Sequence, residues 1–321
     1  MQTQTNYIGI DISKSFFDVS IADRHYQFTN EVEGFGKLFN LLGADSHVVM
    51  EASGPYYLRL ACYLQSRGVV VSVINPLVIR RFSQMRMSRA KTDKKDARLI
   101  AEYGTMTKPE RWFPPQKHMV TLQQIEATIA GLFKQQTGLN NQLESFISSG
   151  MLDKELKQTL QKELVHLDGL ITRLTVRMQQ IATAHYGDML ANLKSIPGIG
   201  KKTAMMLIMV SGGFDRFDDY RKLSSYIGIC PRIFESGSSV KGKARICKMG
   251  MSKIRACLYV ASWSAKRCNR ACRELYDRLL AKGKAKKLAL IAVANKLLKQ
   301  AFAIAKAQTK YQENYSLITC F

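Results

Sequence analysis

The sequence predicts a mixed α/β domain at its N-terminal end, followed by domains that are mostly helical. Strand-like apolar runs separated by polar turns are confined to the first 74 of the 321 residues. Beyond residue 112, apolar residues recur at spacings of three and four, which is typical of helices. On these patterns we predict three domains, spanning residues 1–112, 113–186 and 187–321.

The first predicted domain begins with an antiparallel meander and continues as alternating helices and strands. Apolar runs at 47–52 and 69–74 have the continuous character of buried strands, and helical patterns precede and separate them. This alternation predicts a mixed sheet. The predicted strands span residues 7–12, 16–22, 25–30, 47–52 and 69–74, and the predicted helices span 34–43 and 55–67.

A basic stretch at 77–91 fits either a loop or a helix, and a further helix is predicted after it. Thr92 is the predicted N-cap of that helix, because threonine favours this position. Asp93 and Asp96 then lie in its first turn, where the helix dipole favours acids. They are also three residues apart, which places both on one helix face.

The middle domain has the heptad spacing of a coiled coil. A break at 148–153 separates two apolar seams, which predicts an antiparallel helical hairpin that pairs either within its own chain or with another subunit. The predicted seam comprises Leu122, Ile125, Ile129, Leu132, Gln136, Leu139, Leu143 and Phe146, then Leu160, Leu164, Leu167, Ile171, Leu174, Met178 and Ile181.

The third domain combines a glycine-rich turn, a segment rich in Ser, Gly and Lys, and two predicted helices. The helices are expected near 252–281 and 284–307. Its composition is strongly basic, with 26 Lys and Arg against eight Asp and Glu, a net charge of +18 out of +23 for the whole chain. Such a surface indicates a polyanion as partner and predicts salt-dependent binding to nucleic-acid phosphates.

The remaining composition indicates a cytoplasmic protein. The seven cysteines follow no paired framework and are interpreted as reduced thiols. The N-terminus lacks the pattern of a signal peptide, and no apolar run reaches the roughly 18–20 residues of a membrane span.

Four acids form a predicted metal site in the first domain: Asp11, Glu51, Asp93 and Asp96. Asp11 closes one strand and Glu51 ends another, so both are expected at one edge of the sheet beside the helix that begins at Asp93. Clustered carboxylates on a nucleic-acid-binding protein are typical of divalent-metal phosphodiester chemistry. Asp18, Asp45 and Glu102 show no such placement and are interpreted as surface residues.

Two segments of the third domain are predicted to bind phosphate. The turn PGIGKKTA resembles the hairpin of helix-hairpin-helix modules, with glycines that permit close backbone approach and lysines beside them. The segment 235–250 offers four basic side chains and three serines, Ser236, Ser238 and Ser239, of which one could attack phosphorus. The predicted phosphate-binding residues are Gly198, Gly200, Lys201, Lys202, Lys241, Lys243, Arg245 and Lys248.

Taken together and in order, the motifs resemble those of one known family. They are YIGIDISK, MEASG, SVINP, KTDKKDARLIAE, SIPGIGKKTA and ESGSSVKG, and they extend over nearly the whole chain. The sequence resembles the DEDD transposases of an insertion-sequence family that includes a pilin-gene invertase and the bridge-RNA-guided recombinases.

The resemblance implies a RuvC-like, RNase H-type first domain, a coiled-coil insertion and a C-terminal transposase domain. It implies that Asp11, Glu51, Asp93 and Asp96 bind Mg²⁺ (or Mn²⁺) and that Ser236 is a nucleophile that becomes linked to DNA. It further implies double-stranded donor and target DNA as substrates, a structured non-coding guide RNA, and a homo-oligomer, dimer or tetramer, whose protomers share active sites.

These features predict a metal-dependent DNA transposase or recombinase, with four alternatives left open. An invertase would act without a guide RNA. A metal-only junction nuclease would use water in place of Ser236, and a binding scaffold would cleave nothing. An actin-like sugar kinase is the fourth, because IGIDISKSFFDVSI also resembles a phosphate-binding hairpin, although no second phosphate loop follows.

Overall fold

The computed structural model describes residues 5–87, 93–232, 235–236, 240–241, 245–247 and 249–313. The chain divides into two compact units, residues 1–115 and 116–321. The first unit corresponds closely to the first predicted domain. The helical hairpin and the basic C-terminal part both belong to the second unit, so their separation into two domains stays a prediction.

The first unit is a mixed sheet, as the sequence predicts, and helices lie on both of its faces. Its strands lie in the order β3-β2-β1-β4-β5, with an antiparallel meander on one side and parallel pairing of β1, β4 and β5 on the other. The strands are β1 (Asn6–Ile12), β2 (Phe16–Ile21), β3 (Arg24–Thr29), β4 (Ser46–Glu51) and β5 (Val70–Ile74); the helices are α1 (Val32–Phe39), α2 (Tyr57–Gln65), α3 (Pro76–Met85) and α4 (Asp93–Thr107).

Side chains of successive strand residues point to opposite faces of the sheet, so the two faces can be assigned. Ile8, Ile10 and Val48 are fully buried against α1 and α2, together with Phe35 and Leu60 of those helices. The residues between them point to the opposite face, where Val49 packs with Ile79 of α3 and Ile100 of α4. The sequence of α3 was compatible with either a loop or a helix, and the structure shows a helix. Asn75 caps it, because its side chain accepts a hydrogen bond from the backbone N–H of Leu77 at 2.9 Å.

The second unit contains two long helices that form a hairpin, α5 (Lys117–Ser148) and α6 (Lys154–Lys194). Every residue of the predicted seam is buried or half-buried. Ile125, Ile129 and Ile171 form the centre of the contact. The heptad pattern therefore identified the inner face of this hairpin correctly.

The rest of the second unit is a helical assembly that contains one largely buried helix. Helix α7 (Lys201–Ser211) is buried from Thr203 to its end and contacts α6 and α9. The other helices are α8 (Tyr220–Ile227), α9 (Ser252–Cys268), α10 (Arg270–Ala281) and α11 (Lys286–Ala307), and two short antiparallel strand pairs lie between α8 and α9.

The helix predicted over 252–281 is two helices, which corrects the sequence-based assignment. Asn269 has an extended backbone conformation (φ −113°, ψ 109°) and accepts a hydrogen bond from the backbone N–H of Cys272 at 3.2 Å. It is fully buried and caps α10, so the chain changes direction there.

Among the described residues, α11 alone is long and apolar enough to cross a membrane by length and composition. Half of its most apolar window is buried in the structure, where Val293, Leu297 and Leu298 belong to the core of the second unit. A core helix satisfies the same criterion, so this helix is explained by packing.

Candidate functional site

Asp11 and Glu51 lie side by side at the carboxyl ends of two adjacent parallel strands. The last paired residues of β1 and β4 are Ile10 and Met50, and the two acids follow directly. Ile10 and Met50 are fully buried under α1 and α2. Since side chains alternate along a strand, both acids point to the face that α4 covers.

Helix α4 brings the second pair of acids to the same end of the sheet. Gly9 has no room for a side chain: a Cβ there would lie 2.0 Å from the backbone oxygen of Ala97. Later in the helix, a Cβ on Gly104 would lie 2.9 Å from the Tyr7 ring. Ala97, early in α4, thus contacts Gly9, whereas Gly104, later in α4, contacts Tyr7, which precedes Gly9 in β1. Helix α4 therefore runs antiparallel to β1.

The antiparallel course of α4 places its first turn beside the end of β1 that carries Asp11. That turn contains Asp96, which is half-buried, and Asp93, at which the helix begins. The side chain of Asp93 and the predicted cap Thr92 lie outside the described residues. The backbone therefore places the first turn of α4, with Asp93 and Asp96, at the sheet end where Asp11 and Glu51 lie, and their union in one site stays a prediction.

Carboxylate oxygens are the ligands that Mg²⁺ and Mn²⁺ prefer, so the chemistry of this donor set fits such an ion. Among the side chains that the structure describes, no three His, Cys, Asp or Glu are grouped closely enough to hold a metal ion. Asp11, Glu51 and Asp96 are among those side chains and do not meet this criterion together, so the four-acid metal site stays a prediction.

Glu51 is oriented by Ser53, which the sequence pattern did not indicate as a site residue. The Ser53 hydroxyl donates a hydrogen bond to Glu51 Oε1 at 2.9 Å, and the Ser53 backbone N–H donates to the Glu51 carbonyl at 2.9 Å. The turn continues through Gly54, whose φ of +57° favours glycine. The MEASG motif therefore fixes the carboxylate of Glu51 at the strand end.

Asp18 is buried beside Asp11, and its interpretation as a surface residue is wrong. Its relative exposure is 7%, and β2 pairs it directly with Asp11 on the same sheet face. His25 Nε2 lies 2.7 Å from Asp18 Oδ1, and Gln27 Nε2 donates to the same oxygen at 3.3 Å. A buried acid thus has two polar partners on β3, beside the predicted metal ligands.

Ser236 lies in a short strand pair of the second unit. Residues Glu235–Ser236 pair antiparallel with Val240–Lys241, and Ser236 is opposite Val240. Arg245 is on another short strand, which pairs with Pro231–Arg232 in a separate sheet. The side chains of Ser236, Lys241 and Arg245 are outside the described part of the chain, as are the whole of Ser238, Ser239, Lys243 and Lys248.

The glycine-rich turn ends at the N-terminus of α7. Gly200 is the N-cap and is exposed, and so are Lys201 and Lys202 in the first turn. The first N–H groups of a helix have no partner within it and carry a partial positive charge, which suits phosphate. Gly198 is required for packing, because the Cβ of any other residue there would lie 2.6 Å from the Cβ of Ala265.

Comparison with known proteins assigns the chain to a family. The DEDD transposase family of IS110 matches residues 8–151, which contain all four predicted metal ligands. The transposase family IS116/IS110/IS902 matches residues 190–277, which contain Ser236 and the glycine-rich turn.

Relatives match over almost the full length. The pilin gene-inverting proteins of Moraxella bovis and Moraxella lacunata are each 31% identical over 96% of this chain and 98% of their own. The transposase for insertion sequence element IS1111A of Coxiella burnetii is 24% identical over 72% of this chain and 70% of its own. The chain is a DNA recombinase that belongs to the IS110 family of DEDD transposases.

Proposed function

We propose that the protein cuts and rejoins DNA through the four acids of a RuvC-like first unit, as metal ligands, and through Ser236 of the second unit, as nucleophile. The observation that supports it most strongly is the convergence of β1, β4 and α4, which brings Asp11, Glu51 and the first turn of α4 to one end of a sheet face. The five-stranded mixed sheet, with a meander followed by parallel strands, fits an RNase H-type domain.

In this proposal Asp11, Glu51, Asp93 and Asp96 hold Mg²⁺, or Mn²⁺. The bound ion would neutralise the scissile phosphate and polarise its oxygens. The protein's own part is to keep the carboxylates in place. Ser53 orients Glu51 through its hydroxyl. Because Gly9 has no side chain, α4 packs directly on β1, and this contact determines how close the helix turn with Asp96 lies to the sheet.

Ser236 is the proposed nucleophile. Its hydroxyl oxygen forms a bond to phosphorus while one phosphorus–oxygen bond to deoxyribose breaks, and the serine proton ends on the released sugar hydroxyl. The phosphodiester bond is kept as a serine–DNA ester. A hydroxyl from another strand can then attack that ester and release the serine, so strands are rejoined without ATP.

The basic second unit is proposed to hold the nucleic acids. The exposed turn at Gly200, Lys201 and Lys202 offers a phosphate site, and Lys241, Lys243, Arg245 and Lys248 surround the proposed nucleophile in sequence. Following the family resemblance, we propose double-stranded donor and target DNA as substrates and a structured RNA as guide. The protein would act in the cytoplasm, where DNA and RNA are both present.

DNA inversion is the second candidate, because the two pilin gene-inverting proteins match over 98% of their length. Sequencing of the nucleic acid that co-purifies with the protein separates the two functions. One discrete structured RNA favours guided transposition. Its absence, together with inversion of a DNA segment flanked by inverted sites, favours the invertase.

The helical hairpin is proposed to act as a coiled coil in a dimer or tetramer. Its inner seam is already occupied by the pairing of α5 with α6. A second subunit would therefore contact apolar residues on the outside, such as Phe133, Val165 and Val176, of which Val165 is 73% exposed.

The substitution Ser236→Ala tests the proposed nucleophile. It should abolish both recombination and covalent protein–DNA adducts on nicked suicide substrates, while DNA binding stays within about twofold, because one hydroxyl contributes little to a contact made mainly by many charges. Asp11→Asn is the matched control, since it should abolish cleavage by removing a metal ligand. Normal adduct formation by Ser236→Ala would contradict the assignment.

A further inference from the structure

The outer face of α9 combines apolar and basic residues that the core does not use. The inner face, with Ile254, Leu258 and Ala265, is fully buried. On the opposite face Val260 is 68% exposed and Trp263 is 47% exposed. We call the surface formed by Trp263, Lys266 and Arg267 of α9, together with Tyr276 of α10, which packs partly against the core, the α9 platform; Val260 lies outside it.

The indole ring of Trp263 is held in place at the junction of two helices. Lys266 Nζ lies 4.3 Å from the Trp263 ring centroid and 5.0 Å from that of Tyr276 on α10. The ammonium group therefore bridges two aromatic rings, a cation–π arrangement that limits their motion. The ring is still half-exposed, so the part that Lys266 does not cover is open to stacking.

The surroundings of the α9 platform are strongly positive. Residues 252–287 contain eleven Lys and Arg against two acids, Glu274 and Asp277. Glu274 is paired with Arg270 at 2.9 Å. A second copy of this surface would be repelled by its own charge, whereas a nucleic acid has the complementary charge.

The proposed phosphate turn of α7 contacts the buried inner face of α9, opposite the α9 platform. Gly198 packs directly on Ala265, the residue before Lys266, and tolerates no side chain there. Asn269, at the end of α9, donates a hydrogen bond to the Pro197 carbonyl at 3.4 Å. The turn therefore lies on the other side of α9 from Trp263, so the basic groups nearest to this ring in sequence are Lys266 and Arg267 of the platform itself.

We propose that the α9 platform binds an unpaired nucleotide, with the base stacked on Trp263 and the flanking phosphates bound by the basic side chains of the platform, Lys266 and Arg267. Aromatic rings beside a basic groove are the common means by which proteins grip unstacked bases without reading their sequence. The inference deepens the proposed function, because strand exchange and RNA guidance both require unpaired nucleotides, and it rests on that function for its purpose.

Tryptophan fluorescence provides a direct test, since the chain contains only Trp112 and Trp263. In the variant Trp112→Phe, Trp263 is the sole reporter. We expect a thymidine oligonucleotide to quench it, because a stacked base quenches indole emission. An abasic oligonucleotide of equal length is the matched probe, because it supplies the phosphates and no bases, and it should quench little.

The substitution Trp263→Ala should weaken binding of the thymidine oligonucleotide by about 5- to 100-fold, the effect usual for one stacked base. Val260→Ala is the matched control: it removes an exposed apolar residue from the same helix face and should leave the affinity unchanged. Chelation of divalent cations, together with the Ser236→Ala background, removes cleavage from the measurement, so failure of the catalytic proposal does not affect it.

Three outcomes would overturn the proposal. Equal affinity of Trp263→Ala and the unaltered protein for the thymidine oligonucleotide would exclude stacking. Equal quenching by the abasic probe would show that phosphates alone act on the ring. Dissociation of an oligomer by Trp263→Ala, measured by sedimentation, with unchanged nucleotide affinity, would assign the platform to contact between subunits.

Discussion

At the scale of single residues, the sequence pattern predicted the position of acids that follow a strand, but it did not predict the burial of an acid within a strand. Asp11 and Glu51 follow apolar strands directly, so the pattern predicted their place. Asp18 lies inside the strand FFDVSI, where alternation predicts the face opposite Phe17 and Val19 and nothing more. Its burial depends on His25 and Gln27 of another strand, and local sequence does not contain that information.

His47 is predicted to make the stability of the first unit depend on pH. Its ring is nearly buried, with Nε2 2.8 Å from Ser72 Oγ, whose hydroxyl donates to the Glu110 carbonyl at 2.6 Å. Burial, together with the charge of Arg111, lowers the pKa of His47 below its ordinary value of 6.5.

The unfolded chain therefore binds a proton at His47 at pH values where the folded chain does not. Consequently, the free energy of unfolding should fall as pH decreases from 7 to 5. Urea denaturation at several pH values measures this dependence. The variant His47→Gln should show a smaller slope, and an unchanged slope would contradict the assignment.

At the scale of elements, the periodicity of apolar residues predicted most strands and helices but not every helix boundary. The five strands, α1, α2, α4 and the inner face of the α5–α6 hairpin were predicted correctly. The break at Asn269 was not, because the apolar spacing continues through it and the cap depends on burial against Gln300 and Tyr311. Ser236 could be selected from three serines only through the family resemblance.

The contact between β1 and α4 yields a prediction about Gly9. The substitution Gly9→Ala places a methyl group against the backbone of α4, so the first unit should lose about 3 kcal/mol of stability by overpacking. It should also displace the turn that carries Asp96 and reduce DNA cleavage. Urea denaturation followed by circular dichroism measures the loss.

Gly131→Ala is the matched control for this substitution. Gly131 lies within α5 with open space around it, so alanine there should raise stability by about 0.5–1 kcal/mol. A Gly9→Ala protein as stable as the unaltered chain would contradict the close approach of α4 to the sheet.

At the scale of the whole molecule, chemistry and charge are divided between two compact units. The acids lie at one sheet end of the first unit, whereas the phosphate turn, the α9 platform and Ser236 belong to the second. A net charge of +18 on residues 187–321 means that binding to nucleic acid should weaken steeply with salt. The proposed function accordingly takes its metal ligands from one unit and its nucleophile from the other.

The central claim is that a serine of the second unit takes the DNA strand. The most direct measurement traps the protein on nicked suicide DNA in the presence of Mg²⁺, digests the adduct and locates the attached nucleotide by mass spectrometry. The account predicts a nucleotide phosphate on Ser236. An adduct on another residue, or free cleaved DNA without any adduct, would contradict it.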